Sequence, residues 1–222
     1  MSKKQITKEK IIQSFLSSAV EKSAGATSLA DISDVLQIKK ASLYNHFESR
    51  DEMYSATLEF CASEILASTF VTKEHLEAAS LTKTQGSALF KKVITSYFKL
   101  FEGEPFLKMY VFIHAEQYYN SRAMEIVDAD YKRLVEDVKS LMKALKSAKK
   151  AVYEEKDSKD IAQAIVSVMT NQLDAYISQK KEIIRRNPDT GLGSLFTLPT
   201  DENLLNRSIH VIEVTVKNLL SC

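Results

Sequence analysis

Val127, Tyr131, Leu134, Val138, Leu141 and Leu145 follow one another at steps of 4, 3, 4, 3 and 4 residues. Only an α-helix turns all six to one side; a strand would scatter them over both faces. The row is a narrow seam, and it specifies a long helix from about Ser121 to Ala148 packed antiparallel to a neighbour. Five Gly and three Pro in 222 residues leave few breaking points anywhere in the chain. That favours long helices over folds that need many Gly-bearing turns. The expectation is an all-α protein of about nine helices.

The remaining helices follow from the same periodicity. Ile11, Phe15 and Ala19, with Ile12, Leu16 and Val20, make one stripe over residues 8–23, and Gly25 is its expected stop. Ser28 with Asp31 three residues on has capping-box form and starts a second helix, whose inward face is Leu29, Ile32, Val35 and Leu36. Gln37 and Ile38 form a turn. Lys39 to Phe47 reads as a third helix with Leu43 and Phe47 inward. Met53, Leu58, Ile65 and Leu66 mark a longer helix leading away from about Arg50. Residues 71–84 are polar and mixed and read as a loop. Leu89, Val93, Tyr97 and Leu100 start a helix that Gly103 ends. Pro105 opens the next, at a first turn where a missing N–H is harmless. That helix is apolar almost all round to Tyr119 and is expected to be buried. Asp157 to Arg186 is long, Asn187 to Thr200 is the clearest loop, and the last helix runs from about Asp201 to Leu220.

Catalytic chemistry finds no constellation. His46, His75, His114 and His210 are scattered, and there is no His-Glu-x-x-His, paired-Cys or Gly-x-Ser-x-Gly spacing. Gly191-Leu-Gly193 lacks the preceding strand and basic partner of a phosphate loop. His114-Ala-Glu116 is the nearest site fragment, and it lies in the almost wholly apolar helix. The expectation is no enzyme, no catalytic residue, no metal and no cofactor. Cys61 and Cys222 read as free thiols of a reducing cytoplasm. No secretory signal follows the first lysines, and the longest run of large apolar residues, Met109 to Ile113, is far short of the ~20 that span a bilayer.

The formal net charge of +1 names no partner. Charge within reach of a phosphate matters more, because salt screens beyond roughly 8 Å. Gln37 to Arg50 holds Lys39, Lys40 and Arg50 against Glu48 alone, and Lys3, Lys4, Lys8 and Lys10 form a basic arm. The third helix shows Lys39, Lys40, Ser42, Tyr44, Asn45 and His46 outward. Residues at the start of a recognition helix meet base edges in the major groove, while flanking groups hold phosphates. Lys donates to guanine, Asn pairs with adenine, and Ser is permissive. The same residues also suit a solvated surface with packed Tyr44 and His46, so chemistry leaves both open.

Lys10-Ile-Ile, Ala19, Gly25, Ser28-Leu-Ala-Asp-Ile32 and Leu43-Tyr-Asn-His-Phe47-Glu-Ser-Arg50-Asp-Glu-Met53 resemble the N-terminal domain of TetR-family transcriptional regulators over residues 8–55. The resemblance implies a three-helix DNA-binding head over residues 1–50 and a helical ligand-binding and dimerisation body over 51–222. It implies a sequence-specific homodimeric repressor, released from a palindromic double-stranded DNA operator by a small, largely apolar ligand. Tyr44, His46 and Arg50 would contact phosphate, Lys39, Lys40, Ser42 and Asn45 would face bases, and Ser28, at the start of the second helix, is a further DNA-binding candidate. Two departures stand out: the family usually has Gly where this chain has Gln37, and often Gly where it has Ala41. Gln37 is thereby expected to take a left-handed conformation.

The body carries weaker expectations. Tyr97, Phe101, Phe106, Tyr110, His114, Gln117 and Tyr118, with Met169, Gln172 and Tyr176, are the candidate lining of an apolar pocket with a few polar groups. The last two helices, about 157–187 and 201–220, would form a two-fold interface through Ile165, Val168, Leu204, Val211 and Val214. The competing reading is a helical ligand-binding or protein-interaction module whose head has lost DNA binding. The basic, Tyr-bearing third helix argues against it, and salt-dependent DNA binding separates the two.

Overall fold

A computed structural model describes residues 6–81, 83–186 and 200–221. The basic arm residues Lys3 and Lys4, the Gly191–Gly193 segment and Cys222 lie outside the described residues. So does the loop expected at 187–200, apart from Thr200. Among the described residues the chain is all-α, with nine α-helices and two 3₁₀ helices. In order these are α1 (Lys8–Lys22), α2 (Leu29–Leu36), a 3₁₀ helix (Lys40–Asn45), α3 (Arg50–Ala67), α4 (Lys73–Leu81), α5 (Gly86–Leu100), α6 (Phe106–Glu116), α7 (Ser121–Ser147), a second 3₁₀ helix (Glu155–Asp157), α8 (Ser158–Arg186) and α9 (Glu202–Leu220).

The chain divides into two compact units, one of residues Met1–Ser68 with Lys108–Ala129, the other of Thr69–Leu107 with Asp130–Cys222. A head ending at residue 50 is therefore smaller than the first unit, which adds α3 and most of α6. The reason is aromatic packing. Phe15 of α1, Tyr54 of α3 and Phe112 of α6 lie with ring centroids 6.0–6.4 Å apart in tilted and edge-on arrangements, the geometry that ring quadrupoles favour. Ile11, Leu16, Ile32, Leu43, Met53 and Cys61 complete this core. Tyr54 donates to the Glu116 carboxylate at 2.8 Å, and Arg122 holds Glu59 through two hydrogen bonds of 2.7 and 2.8 Å. Cys61 is fully buried, and burial pushes its thiol up to about 12, so it stays an unreactive core thiol.

In the second unit, α8 and α9 pack along each other and α5 packs on α9. Phe90, Ile94, Phe98, Val138, Leu141, Ile165, Met169, Ile212 and Val216 are all buried there. The seam that introduced α7 is buried through Leu134, Val138, Leu141 and Leu145. A polar cluster sits in this unit: the Tyr176 and Thr200 hydroxyls both donate to the Glu102 carboxylate.

Four local expectations are corrected. Residues 73–81 form α4 and are not loop; only Ala79 is buried on it, so the helix has no apolar row to read. Its first turn is closed reciprocally, Thr72 N–H to His75 Nδ1 at 3.2 Å and His75 N–H to the Thr72 hydroxyl at 3.3 Å. α1 stops at Lys22, where Ser23 takes φ 83° and its N–H donates to Ala19 O at 2.8 Å, so Gly25 is not the stop. The third helix is a 3₁₀ helix over Lys40–Asn45, not an α-helix over Lys39–Phe47. α6 ends at Glu116, and Tyr118 and Tyr119 beyond it are 81% and 89% exposed rather than buried.

Candidate nucleic-acid interface

The recognition segment is built on its anchors. Leu43 is fully buried and Phe47 nearly so, which fixes the inward side of the segment. Lys8 places its ammonium 5.0 Å from the Phe47 ring centroid. Ahead of the segment, α2 ends at Gln37 with φ 56° and ψ 46°, the left-handed conformation expected of that position. The Gln37 N–H reaches the Ser33 and Asp34 carbonyls, and Ile38 N–H reaches Ser33 O at 3.0 Å, which satisfies the end of α2. The next residue, Lys39, is extended and caps the 3₁₀ helix without a side-chain bond.

Lys39, Lys40, Tyr44 and Asn45 are exposed around this anchor, and Ser42 and His46 are half-buried. These six carry two cations, two hydroxyls, an amide and an imidazole. They offer donors to phosphate and both donor and acceptor groups to base edges.

Two of the expected residues have partners within the head. Ser28 closes a capping box: its hydroxyl accepts from Asp31 N–H at 3.3 Å, while Asp31 accepts from Ser28 N–H at 2.7 Å. Lys22 pairs with Asp31 at 2.6 Å, and this pair, with the cap bonds, holds the Asp31 carboxyl well below the usual range. Arg50 is held more extensively. Its Nε donates to Thr27 O at 2.7 Å, its Nη2 donates to Ala24 O, and its guanidinium lies 5.5 Å from the Phe15 ring centroid. The carbonyls that end α1 and precede α2 have no helical partners, so they capture this cation. Arg50 thus braces the α1–α2 connection rather than extending outward.

Ser49 is a residue that sequence reasoning misses. It caps α3 by accepting from Glu52 N–H at 3.0 Å, and Glu52 reaches back to Glu48 N–H at 2.5 Å. The Ser-x-x-Glu spacing is the legible signal.

The ten pocket candidates divide between the units. In the first, the Tyr110 and His114 rings stack at 3.9 Å, and Gln117 donates to the His114 carbonyl at 2.9 Å. Burial pushes the His114 imidazole down to about 4, so it is neutral near pH 7. Tyr118 is exposed and lines nothing there. In the second, Tyr97, Phe101 and Phe106 form an edge-to-face series with Phe70, at centroid distances of 4.9–6.0 Å. Met169 and Tyr176 are core, the latter bonded to Glu102, and Gln172 is half-buried. Of the interface candidates, Ile165 and Leu204 are already buried within the single chain and have no surface left for a partner. Val168 is half-buried. Val211 and Val214 are 44% and 42% exposed on the outer side of α9.

Residues 16–57 match the family model described as bacterial regulatory proteins, tetR family. The chain is 27% identical over 135 residues to the biofilm operon icaADBC HTH-type negative transcriptional regulator IcaR of Staphylococcus epidermidis, covering 61% of this chain and 64% of that protein. IcaR of Staphylococcus aureus is 41% identical over 54 residues, 24% of this chain and 29% of its own length. The chain thus spans less than two thirds of the length of either relative. Among solved structures, a TetR transcription regulator from Haloarcula marismortui is similar with a TM-score of 0.60 at 9% identity, covering 96% of this chain and 97% of that one. Salmonella enterica GusR is similar with a TM-score of 0.58 at 13% identity, covering 97% and 95%. At such identities the likeness is one of fold. Residues 16–57 are thus similar in sequence to the head of the tetR family of bacterial regulatory proteins, and the chain as a whole is similar in fold to TetR-family structures.

Proposed function

We propose that the protein is a homodimeric, sequence-specific DNA-binding repressor whose operator affinity falls when a small, largely apolar ligand binds the helical body. The observation that carries this reading is the exposed Lys39, Lys40, Tyr44 and Asn45 surface, held outward by buried Leu43 and Phe47. Residues 1–50 serve as the DNA-binding head and 51–222 as the body. Lys39, Lys40, Ser42 and Asn45 face bases, and Tyr44 and His46 hold phosphate. The sign of regulation follows the IcaR relatives, which are named as negative regulators. Two heads enter successive major grooves when they stand about 34–36 Å apart, or a multiple of that. α8 and α9 supply the dimer contact through Val168, Val211 and Val214. A ligand releases the operator only by its differential affinity for the two body shapes. No helix among the described residues is long and apolar enough to cross a membrane.

Selection of bound DNA from a random pool tests the reading. A two-fold symmetric sequence should enrich, and its affinity should fall steeply with salt. Asn45→Ala should relax base preference, and Tyr44→Phe should weaken binding across sequences. Enrichment of no sequence sinks DNA reading. Val211→Asp with Val214→Asp should give a monomer in sedimentation.

A further inference from the structure

The lysines that follow α7 are not needed to close it. Lys149 takes φ 58°, its N–H donates to Lys146 O at 3.0 Å, and Lys150 N–H donates to Leu145 O at 2.9 Å. These two backbone bonds satisfy carbonyls of the last turn. Lys150 sends its ammonium elsewhere, to Ala79 O near the end of α4, at 2.7 Å. Val152 N–H donates to Leu220 O, at the end of α9, at 2.8 Å. The turn after α7 is thereby tied to the ends of two other helices of the second unit.

Between that turn and the start of α5 lies a cavity of about 420 Å³, the size of a small-ligand site. Lys83, Lys149 and Lys150 line it, and none of its described lining residues is acidic. Among the described residues, neither the Lys83 nor the Lys149 side chain makes a hydrogen bond or an ion pair. Three cations around one cavity repel one another, and an anion between them relieves that repulsion. Thr84 and Ser221 add hydroxyl groups to the lining. A phosphoryl group suits this set, because it is an anion with several acceptor oxygens and the lysines and hydroxyls are donors. α5 begins in the same wall at Gly86, and the first N–H groups of a helix add to the positive potential. Val152 also lines the cavity and is 69% exposed, so an apolar group joined to the phosphoryl group has a surface to cover. None of the ten pocket candidates is in this lining.

We propose that the cavity binds a small soluble phosphate monoester, its phosphoryl group held by Lys83, Lys149 and Lys150 and its apolar part lying on Val152. The site shares no residue with the DNA-reading surface or with the apolar pocket above, so neither reading stands or falls with it. Calorimetric titration of the full-length chain tests it with hexyl phosphate, with inorganic phosphate and, at matched ionic strength, with sodium chloride. Hexyl phosphate should bind about fourfold more tightly than inorganic phosphate, the size of one methylene withdrawn from water. Lys83→Gln and Lys149→Gln should each weaken both probes about tenfold, the scale of one charge-assisted contact. Lys83→Arg and Lys149→Arg keep the charge and should retain binding. Val152→Ser should abolish the advantage of the hexyl group and leave inorganic phosphate unchanged. Lys159→Gln removes an exposed lysine of α8 outside the cavity and should change nothing. Every substituted side chain is exposed, so the fold is kept, and urea-unfolding midpoints without phosphate verify this. Heat no greater than with sodium chloride, binding that survives both glutamine variants, or equal weakening by Lys159→Gln overturns the site. A hexyl advantage that persists in Val152→Ser overturns the apolar contact. Lysine-dependent co-sedimentation with phosphatidate vesicles overturns the soluble ester in favour of a lipid headgroup.

Discussion

Gln37 is held left-handed, at φ 56° and ψ 46°, with its side chain exposed. Such a conformation costs an L residue about 1–2 kcal/mol, because the β-carbon crowds the following carbonyl oxygen. Glycine has no β-carbon and escapes this cost, but its freer unfolded chain offsets about 0.5–1 kcal/mol of the gain. Gln37→Gly should therefore stabilise the head by about 0.5–1 kcal/mol, roughly a two- to fivefold shift in its opening equilibrium. Gln37→Ala keeps the β-carbon and should change little, whereas Gln37→Val, β-branched, should destabilise. Amide hydrogen exchange in the head reads this directly, through amides such as Phe47 N–H, which bonds Leu43 O at 3.2 Å. Protection should rise about two- to fivefold in the glycine variant alone. Equal or lower protection in Gln37→Gly, or no loss in Gln37→Val, refutes the idea that strain is held at this turn.

Three further outcomes are expected. Ser28→Ala opens the capping box of α2 and should lower head stability by about 1 kcal/mol in the same exchange experiment. Tyr176→Phe removes a donor to the Glu102 carboxylate and should lower urea-unfolding stability by about 1.5–3 kcal/mol. His114 has its imidazole pushed down to about 4 by burial, against an ordinary value of 6.5. Between those values the unfolded chain binds the extra proton, so stability is full above about pH 6.5 and falls as the pH drops toward 4. The loss approaches roughly 3 kcal/mol; His114→Phe should remove this slope from urea-unfolding midpoints measured between about pH 7 and 4.5, and an unchanged slope would count against it.

How far the residues alone carry the structure depends on whether their signal is local. The α7 seam, the Ser28–Asp31 cap and the left-handed Gln37 depend on neighbours within one or two turns, and all three are in the structure as read. α4 escapes such reading because one buried residue, Ala79, makes no period. The interface candidates Ile165 and Leu204 meet the right pattern but the wrong partner. An apolar face shows that a residue will be covered, and not whether its own chain or a second copy covers it.

The same division runs through the Ser28–Arg50 stretch. Its helix–turn–helix order, its anchors Leu43 and Phe47, and the chemistry of Lys39, Lys40, Tyr44 and Asn45 were set by the sequence, because each depends on spacing and side-chain type. Only the tertiary structure decided that Lys40–Asn45 closes as a 3₁₀ helix. Only it turned Arg50 onto the carbonyls of Ala24 and Thr27, 26 and 23 residues earlier in the chain. A guanidinium goes to carbonyls with a lone pair to spare within reach, and which carbonyls those are is known only once α1, α2 and α3 have met.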